Sequence, residues 1–298
     1  IRWKKKLYGN IENTLSLGII PEFLWAYDEN GERFSSETIG LKFNQHWYAS
    51  KGLVGAGPYR MVRYEPGVEI RLERNEEYFG ELPAIKSIVY PLYTDPNQTL
   101  LRLKAHTINF GGLRPTQYHD LIQQFENVAK DRQPKDSIFL NGSVRHRRTI
   151  TMVYYYIGWN ADKPMFADKR VRRAMTCALN REGIIRNVFF GLGQVATGPF
   201  YALSPCNDPA IEPWPFDLTM ARGLLAEAGW EDTNGDGVLD KDLTPDDGKP
   251  DRAPFEFGLL IYGSSPEYES MANIFKEDLL KIGVRLKIDA AEWALMQK

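Results

Sequence analysis

The order of segments predicts an α/β fold built in layers. Strand-like and helix-like stretches alternate, as in Ile85–Pro91 followed by Pro96–Leu103, and in Phe255–Ile261, Pro266–Ile282 and Val284–Ala290. Glycines stand just behind the helical stretches, at Gly229 and Gly283, where a left-handed residue ends a helix. The chain has 298 residues with 43% hydrophobic and 26% charged content, enough for two ordinary domains with packed cores.

Residues 1–50 are aromatic and mixed, and a short helix or strand is expected near Asn13–Leu24. The run Val54-Gly55-Ala56-Gly57-Pro58-Tyr59 turns tightly, because glycine reaches positive φ at little cost. Tyr59–Tyr64 and Val68–Arg74 then alternate like the arms of a hairpin, with Glu65-Pro66-Gly67 as its turn. Ile85–Pro91 reads as a strand, Pro96–Leu103 as a helix and Thr107–Phe110 as a short strand. Pro115–Phe125 reads as a helix, with Pro115 at a first helical position where its missing N–H costs nothing. Further strands are expected at Ile138–Leu140 and Ile150–Ile157.

The next helix is the best signalled. Asp168 is a good N-cap, since a short carboxylate takes the free amides of a first turn. Val171, Ala174, Met175, Ala178 and Leu179 recur at helical spacing and make one apolar stripe. Arg170, Arg172 and Arg173 fall mostly off it and read as a solvated face. The alternative is that Arg170 or Arg172 pins loop carbonyls around Trp159. Asn180-Arg181-Glu182 opens the following turn, and Leu218–Ala228 makes a helix ended by Gly229.

Composition excludes several classes. A net charge of -2 argues against nucleic acid or an anionic membrane surface as partner. No apolar run approaches the roughly 20 residues that span a bilayer. Ile1 is followed by Arg2-Trp3-Lys4-Lys5-Lys6 and polar sequence, so no apolar leader core is expected there. Cys177 and Cys206 read as two thiols or as one disulfide, and leave the redox compartment open. His46, His106, His119 and His146 show no metal spacing. No G-x-S-x-G elbow or P-loop occurs. Glu76-Glu77 sits in an expected turn, which gives no support to glycosidase chemistry.

One stretch carries a metal-like pattern. Asp232, Asn234, Asp236 and Asp240 fall at loop positions one, three, five and nine, with Gly237 at the sharp turn, as a calcium loop requires. Position twelve holds Leu243 in place of the expected Glu, and Asp242 or Asp246 substitutes only along another loop path. A structural calcium and a plain acidic turn both stay open. Aromatic residues are the stronger site candidates. On an extended Ile150–Ile157, Tyr154 and Tyr156 share one face and Tyr155 takes the other. Trp159 and Asn160 follow at the edge, although Trp159 fits a core position equally well.

Several of these phrases, in this order, resemble the large solute-binding proteins of peptide-type ABC importers, the oligopeptide, dipeptide and nickel receptor family. Ile19-Ile20-Pro21-Glu22-Phe23 precedes the Gly-Pro-Tyr turn, and Asn75-Glu76-Glu77-Tyr78-Phe79-Gly80 follows the hairpin, with Phe79 where the family usually has Trp. The stretch Gly158–Pro199 is the most specific match. Trp214-Pro215-Phe216-Asp217 with its helix, and the closing Glu292-Trp293, extend it. His106 and Asn109 depart from the family's Gly and Asp.

The resemblance implies a class II periplasmic binding protein-like, two-lobe architecture, incomplete in this chain, which looks like a middle fragment. It implies that residues 1–40 are the tail of a small domain II, 41–150 part of lobe I and 151–298 part of lobe III, with a hinge strand near 150–160. It further implies an extracytoplasmic, monomeric receptor that catalyses nothing. Such a receptor takes oligopeptide or dipeptide, or another small solute, in a cleft touched by Tyr154, Tyr156, Trp159 and Asn160. It hands the solute to the permease subunits of an ABC transporter, and meets the membrane only through that permease or a lipid anchor. It requires no cofactor. The rival reading is a calcium-stabilised envelope interaction module without a transport role.

Overall fold

A computed structural model describes residues 21–42, 45–46, 55–93, 95, 97–244, 252–263 and 265–296. The expected elements at Asn13–Ile20, and the residues Val54, Pro96 and Asp246, lie outside the described residues. The chain divides into two compact units, residues 1–112 and 113–298.

In the first unit, short helices α1 (Glu22–Trp25) and α2 (Ile39–Lys42) precede a three-stranded antiparallel sheet. Its strands are β1 (Tyr59–Glu65), β2 (Glu69–Arg74) and β3 (Ser87–Pro91), in the order β1-β2-β3. The hairpin forms where alternation predicts it. Gly67 takes φ +76 in the turn, and Tyr59 pairs with Arg74 at the open end. The register slips between Met61 and Arg63, a bulge that bends β1. Helix α3 (Asn97–Lys104) buries Leu103. The short strand expected at Thr107–Phe110 does not form. His106 takes a left-handed φ of 54° and the Thr107 N–H donates back to the Arg102 carbonyl, so the helix end turns the chain.

Up to residue 240 the regular elements described in the second unit are helices, joined by long irregular stretches. They are α4 (Pro115–Leu121), two single 3-10 turns at Gln123–Phe125 and Lys130–Arg132, α5 (Pro164–Ala167), α6 (Lys169–Cys177), α7 (Arg181–Asn187) and α8 (Leu218–Glu227). The predicted helix at Pro115–Phe125 thus continues as a 3-10 turn beyond a break at Ile122. Strands β4 (Asp240–Asp242) and β5 (Arg252–Pro254) make a small antiparallel pair. Strands β6 (Glu256–Tyr262) and β7 (Arg285–Ala291) pair in parallel on either side of α9 (Pro266–Leu280), and α10 (Trp293–Met296) follows. A parallel pair needs a crossover of this length, which α9 supplies.

Two expected strands are absent. Ile138–Leu140 spends its hydrogen bonds in turns, since the amides of Leu140 and Asn141 both donate to the Ser137 carbonyl. Ile150–Ile157 has no ladder partner among the described residues, and a strand exists only as one member of a pair.

Helix ends follow the local chemistry. Asp168, Asn180, Asp217 and Ser265 each accept a first-turn amide through their side chains. Gly229 and Gly283 take φ of +82° and +77° just past α8 and α9. The apolar stripe of α6 packs with α8, α9, β6 and β7 into one core. Within it Val171, Ala174, Met175, Leu225, Phe275 and Leu279 are almost wholly buried, and Trp230 stacks on Phe255 with ring centres 4.2 Å apart. Cys177 is buried there while Cys206 is exposed, and no disulfide joins them. Among the described residues no helix is long and apolar enough to cross a membrane.

Candidate functional site

The site grows from the unpaired segment 150–159. None of its backbone N–H or C=O groups makes a hydrogen bond among the described residues. Its side chains still alternate as on an extended chain. Tyr155 turns to Phe189 and Tyr268, at ring separations of 5.8 and 5.6 Å. Ile157 and Trp159 pack against the core. Tyr154 and Tyr156 turn the other way, their rings 5.7 Å apart.

These tyrosines line a cavity of about 410 Å³ within the second unit. Its other walls are Thr176 and Arg181, the loop 196–199, and the run Ile211-Glu212-Pro213-Trp214. A loop bond, a ring contact and a helix cap hold these walls in place. The Asp217 N–H donates to the Cys177 carbonyl at 2.9 Å, which ties the loop carrying Trp214 to the end of α6. The Arg173 guanidinium lies 5.3 Å from the centre of the Trp214 ring, a cation–π contact. Asn180 caps α7 through the Gly183 amide at 2.8 Å and so sets Arg181 on its first turn.

Arg181 is the charged member of the wall. Its guanidinium donates to the Trp214 carbonyl. Burial pulls its pKa below the ordinary arginine value, with the nearby Cys177 and Glu182 acting weakly the other way. The group still carries its charge at neutral pH, because arginine starts so far above it. The arrangement therefore offers aromatic faces, unpaired backbone groups and one partly desolvated cation.

The structure brings together only part of the predicted site. Tyr154 and Tyr156 line the cavity, and so does Tyr155, which the alternation places on the opposite face. Trp159 does not line it. Its ring lies 4.9 Å from Phe166 and 5.7 Å from Phe257, so it is packing for the core. Asn160 is exposed and turns its own loop, its Oδ1 accepting from the Asp162 amide at 3.0 Å. Arg173 is exposed, but the solvated-face reading of Arg170 and Arg172 needs correction. Arg170 pairs with Asp168 at 2.6 Å and reaches the Glu227 carbonyl, while Arg172 donates to the carbonyls of Phe166 and Ala167 at 2.6 and 2.8 Å.

The calcium-like loop is closed by its own bonds. Asp232 accepts from the amides of Gly235, Asp236 and Gly237, Asn234 from that of Asp236, and Asp236 from that of Val238. Asp240, the expected ninth-position ligand, is instead buried against Arg252 and Thr233. Arg252 holds its carboxyl below the usual range. The four oxygens do not converge, and among the described residues no group of three or more acidic, histidine or cysteine side chains could hold a metal ion.

Arg181, Thr176, Trp214 and the loop 196–199 are site residues that sequence reasoning missed. An aromatic in a proline-rich run was the one available signal for Trp214. Arg181 looked like any first-turn residue behind a cap.

The fold is of the class II periplasmic binding protein kind. The chain matches the family described as bacterial extracellular solute-binding proteins, family 5 Middle, over residues 27–298. It belongs to that family. It is 34% identical over 246 residues to the oligopeptide-binding protein AppA of Bacillus subtilis, covering 82% of this chain and 40% of that protein. It is 27% identical over 247 residues to di/tripeptide-binding protein 2 of Pseudomonas aeruginosa, with 82% and 40% covered. The chain thus spans about two fifths of the length of these relatives. The solved structure of Bacillus subtilis AppA in complex with a nonapeptide superposes with a TM-score of 0.68 at 29% identity, covering 90% of this chain and 49% of the other. An oligopeptide-binding protein from Thermus thermophilus complexed with a pentapeptide gives 0.61 at 26% identity, with 87% and 43% covered.

Proposed function

We propose that this chain is part of the extracytoplasmic substrate-binding component of an ABC importer, and that it captures oligopeptide or dipeptide and delivers it to the permease. The observation that carries this is the cavity beside an unpaired backbone run. An extended peptide bonds to such a run as an added strand, through main-chain groups common to every sequence. Tyr154 and Tyr156 give stacking and apolar contact that is equally tolerant of side-chain identity. The relatives support the same solute, since AppA is described as oligopeptide-binding and holds a nonapeptide in its solved structure.

In this reading residues 1–40 belong to domain II, 41–150 to lobe I and 151–298 to lobe III, with a hinge near 150–160. Binding works by favouring a closed form, and only as strongly as the peptide prefers that form. No bond of the solute is made or broken. The receptor works as a monomer in the periplasm or outside the cell, and touches the membrane through the permease or a lipid anchor. No observation favours the calcium-stabilised module, because Asp240 is committed to Arg252.

Titration calorimetry of the full-length protein with peptides of two to nine residues tests this. Micromolar or tighter binding is expected, weakened about tenfold by Tyr154→Ala or Tyr156→Ala, the usual loss for a buried aromatic contact. An absence of heat with every peptide length would reject the peptide assignment.

A further inference from the structure

The loop between α7 and α8 meets the cavity twice, at residues 196–199 and again at 211–214. Between these two limbs it bonds to itself. The Ser204 amide donates to the Tyr201 carbonyl, that of Asn207 to Ser204 and that of Ile211 to Asp208. A loop whose ends lie close and which packs on itself is an Ω-type loop, a compact unit that frequently carries function. Its limbs are held very differently. The Trp214 end is tied to α6 and α7 at three points. The Asp217 amide bonds the Cys177 carbonyl at 2.9 Å, the Arg181 guanidinium donates to the Trp214 carbonyl, and the Arg173 guanidinium lies 5.3 Å from the centre of the Trp214 ring. Residues 193–200 make no backbone hydrogen bond among the described residues. Phe200, Ile211 and Trp214 are 43%, 52% and 45% exposed, apolar surface that a solute in the cavity would cover.

We propose that residues 193–214 form a strap that folds over a solute in the cavity about a fixed Trp214 end, and that Arg173 is the positioning residue that fixes this end. Arg173 is exposed and does not line the cavity, so it acts on a solute only through Trp214. With Trp214 set, closing the strap orders only the untied limb, and less conformational entropy is lost on binding. Without that contact the Trp214 end must be ordered as well, which weakens every solute alike whatever its charge. The inference rests on the peptide reading above, because peptides are its probe.

The test uses the full-length protein and nonapeptides of one sequence in neutral, acidic and basic forms. Calorimetry gives the affinities, and amide hydrogen exchange reads the strap with and without peptide. Peptide should slow exchange at 193–200 in the wild type. Arg173→Ala should speed exchange at Trp214 and Phe216 in the free protein and weaken all three peptides equally, by about fivefold, the effect expected of one exposed cation–π contact. Arg173→Lys keeps a cation over the ring and should recover part of the loss. Trp214→Ala removes the ring, and in that background Arg173→Ala should add nothing. Exchange at 193–200 that a bound peptide leaves unchanged overturns the strap. An unchanged affinity in Arg173→Ala, or a further loss in the Trp214→Ala background, overturns the role of Arg173. So does a loss confined to acidic peptides, which would make its charge act on the solute directly. A lowered Tm shared by Arg173→Ala and Arg173→Lys, with no recovery of affinity in the latter, assigns Arg173 to structure alone and also overturns it. Each of these outcomes leaves the peptide reading intact, whereas failure of every peptide to bind overturns that reading and this inference with it.

Discussion

Asp168 does two jobs with one carboxylate. It caps α6 through the Arg170 amide at 2.8 Å and pairs with the Arg170 guanidinium at 2.6 Å. The guanidinium beside it is the main reason its pKa falls to about 2 from 3.8. A carboxylate with a folded-state pKa below its unfolded value adds stability above the unfolded pKa, and that stability is lost as pH falls through the folded one. The window here is from about pH 4 down to about pH 2. Asp168→Asn keeps the cap and removes the charge, so it should be less stable than wild type at pH 6, with the gap closing toward pH 2. Denaturant melts across that range check this, and a constant gap would show that the charge plays no part. Asp168→Ala removes the cap as well and should cost about 1 kcal/mol more. Arg181 shows the opposite case at the same scale: among the described residues no carboxylate pairs with it, and its guanidinium donates to the Trp214 carbonyl.

At the scale of elements, local chemistry decides helices and leaves strands to context. The Asp168 cap of α6 and the glycine ends of α8 and α9 act within a few residues, and they form as their sequences predict. The hairpin of β1 and β2 is equally local, because its turn and its two arms are adjacent. Ile150–Ile157 has the composition of a strand, but no partner pairs with it among the described residues. The Asp232–Asp240 loop makes a related point about metal patterns. Oxygen spacing is a necessary feature of a calcium loop, but convergence is decided by where each side chain goes, and Asp240 goes to Arg252. Thermal melts in millimolar calcium and in excess chelator should therefore coincide. A higher Tm in calcium would show that the loop rearranges around an ion, since a ligand that binds only the folded state stabilises it by mass action.

At the scale of the whole molecule, the same linkage gives a measure of function. A peptide at about 100 times its Kd should stabilise the full-length protein by about 2.7 kcal/mol, and the Tm should rise with peptide concentration. The variants Tyr154→Ala and Tyr156→Ala should need more peptide for the same rise. An unchanged Tm over a broad peptide library would point to another class of solute, because members of one fold bind different ligands.

The amino-acid sequence by itself determined the α/β class, the helices with their caps, the first hairpin and the family. Each of these is written in signals that act between near neighbours: apolar spacing, a capping carboxylate, a glycine free to take positive φ, or an ordered run of phrases. It also picked out Tyr154 and Tyr156. Tertiary structure alone decided that Trp159 packs against Phe166 and Phe257, that Asp240 belongs to Arg252, and that Arg181 and Trp214 join the tyrosines at one cavity. Tyr154, Arg181 and Trp214 are far apart in the chain, and no periodicity relates them. They meet because α6, α8 and α9 bury their stripes together in one core, which sets the places of the loops between them.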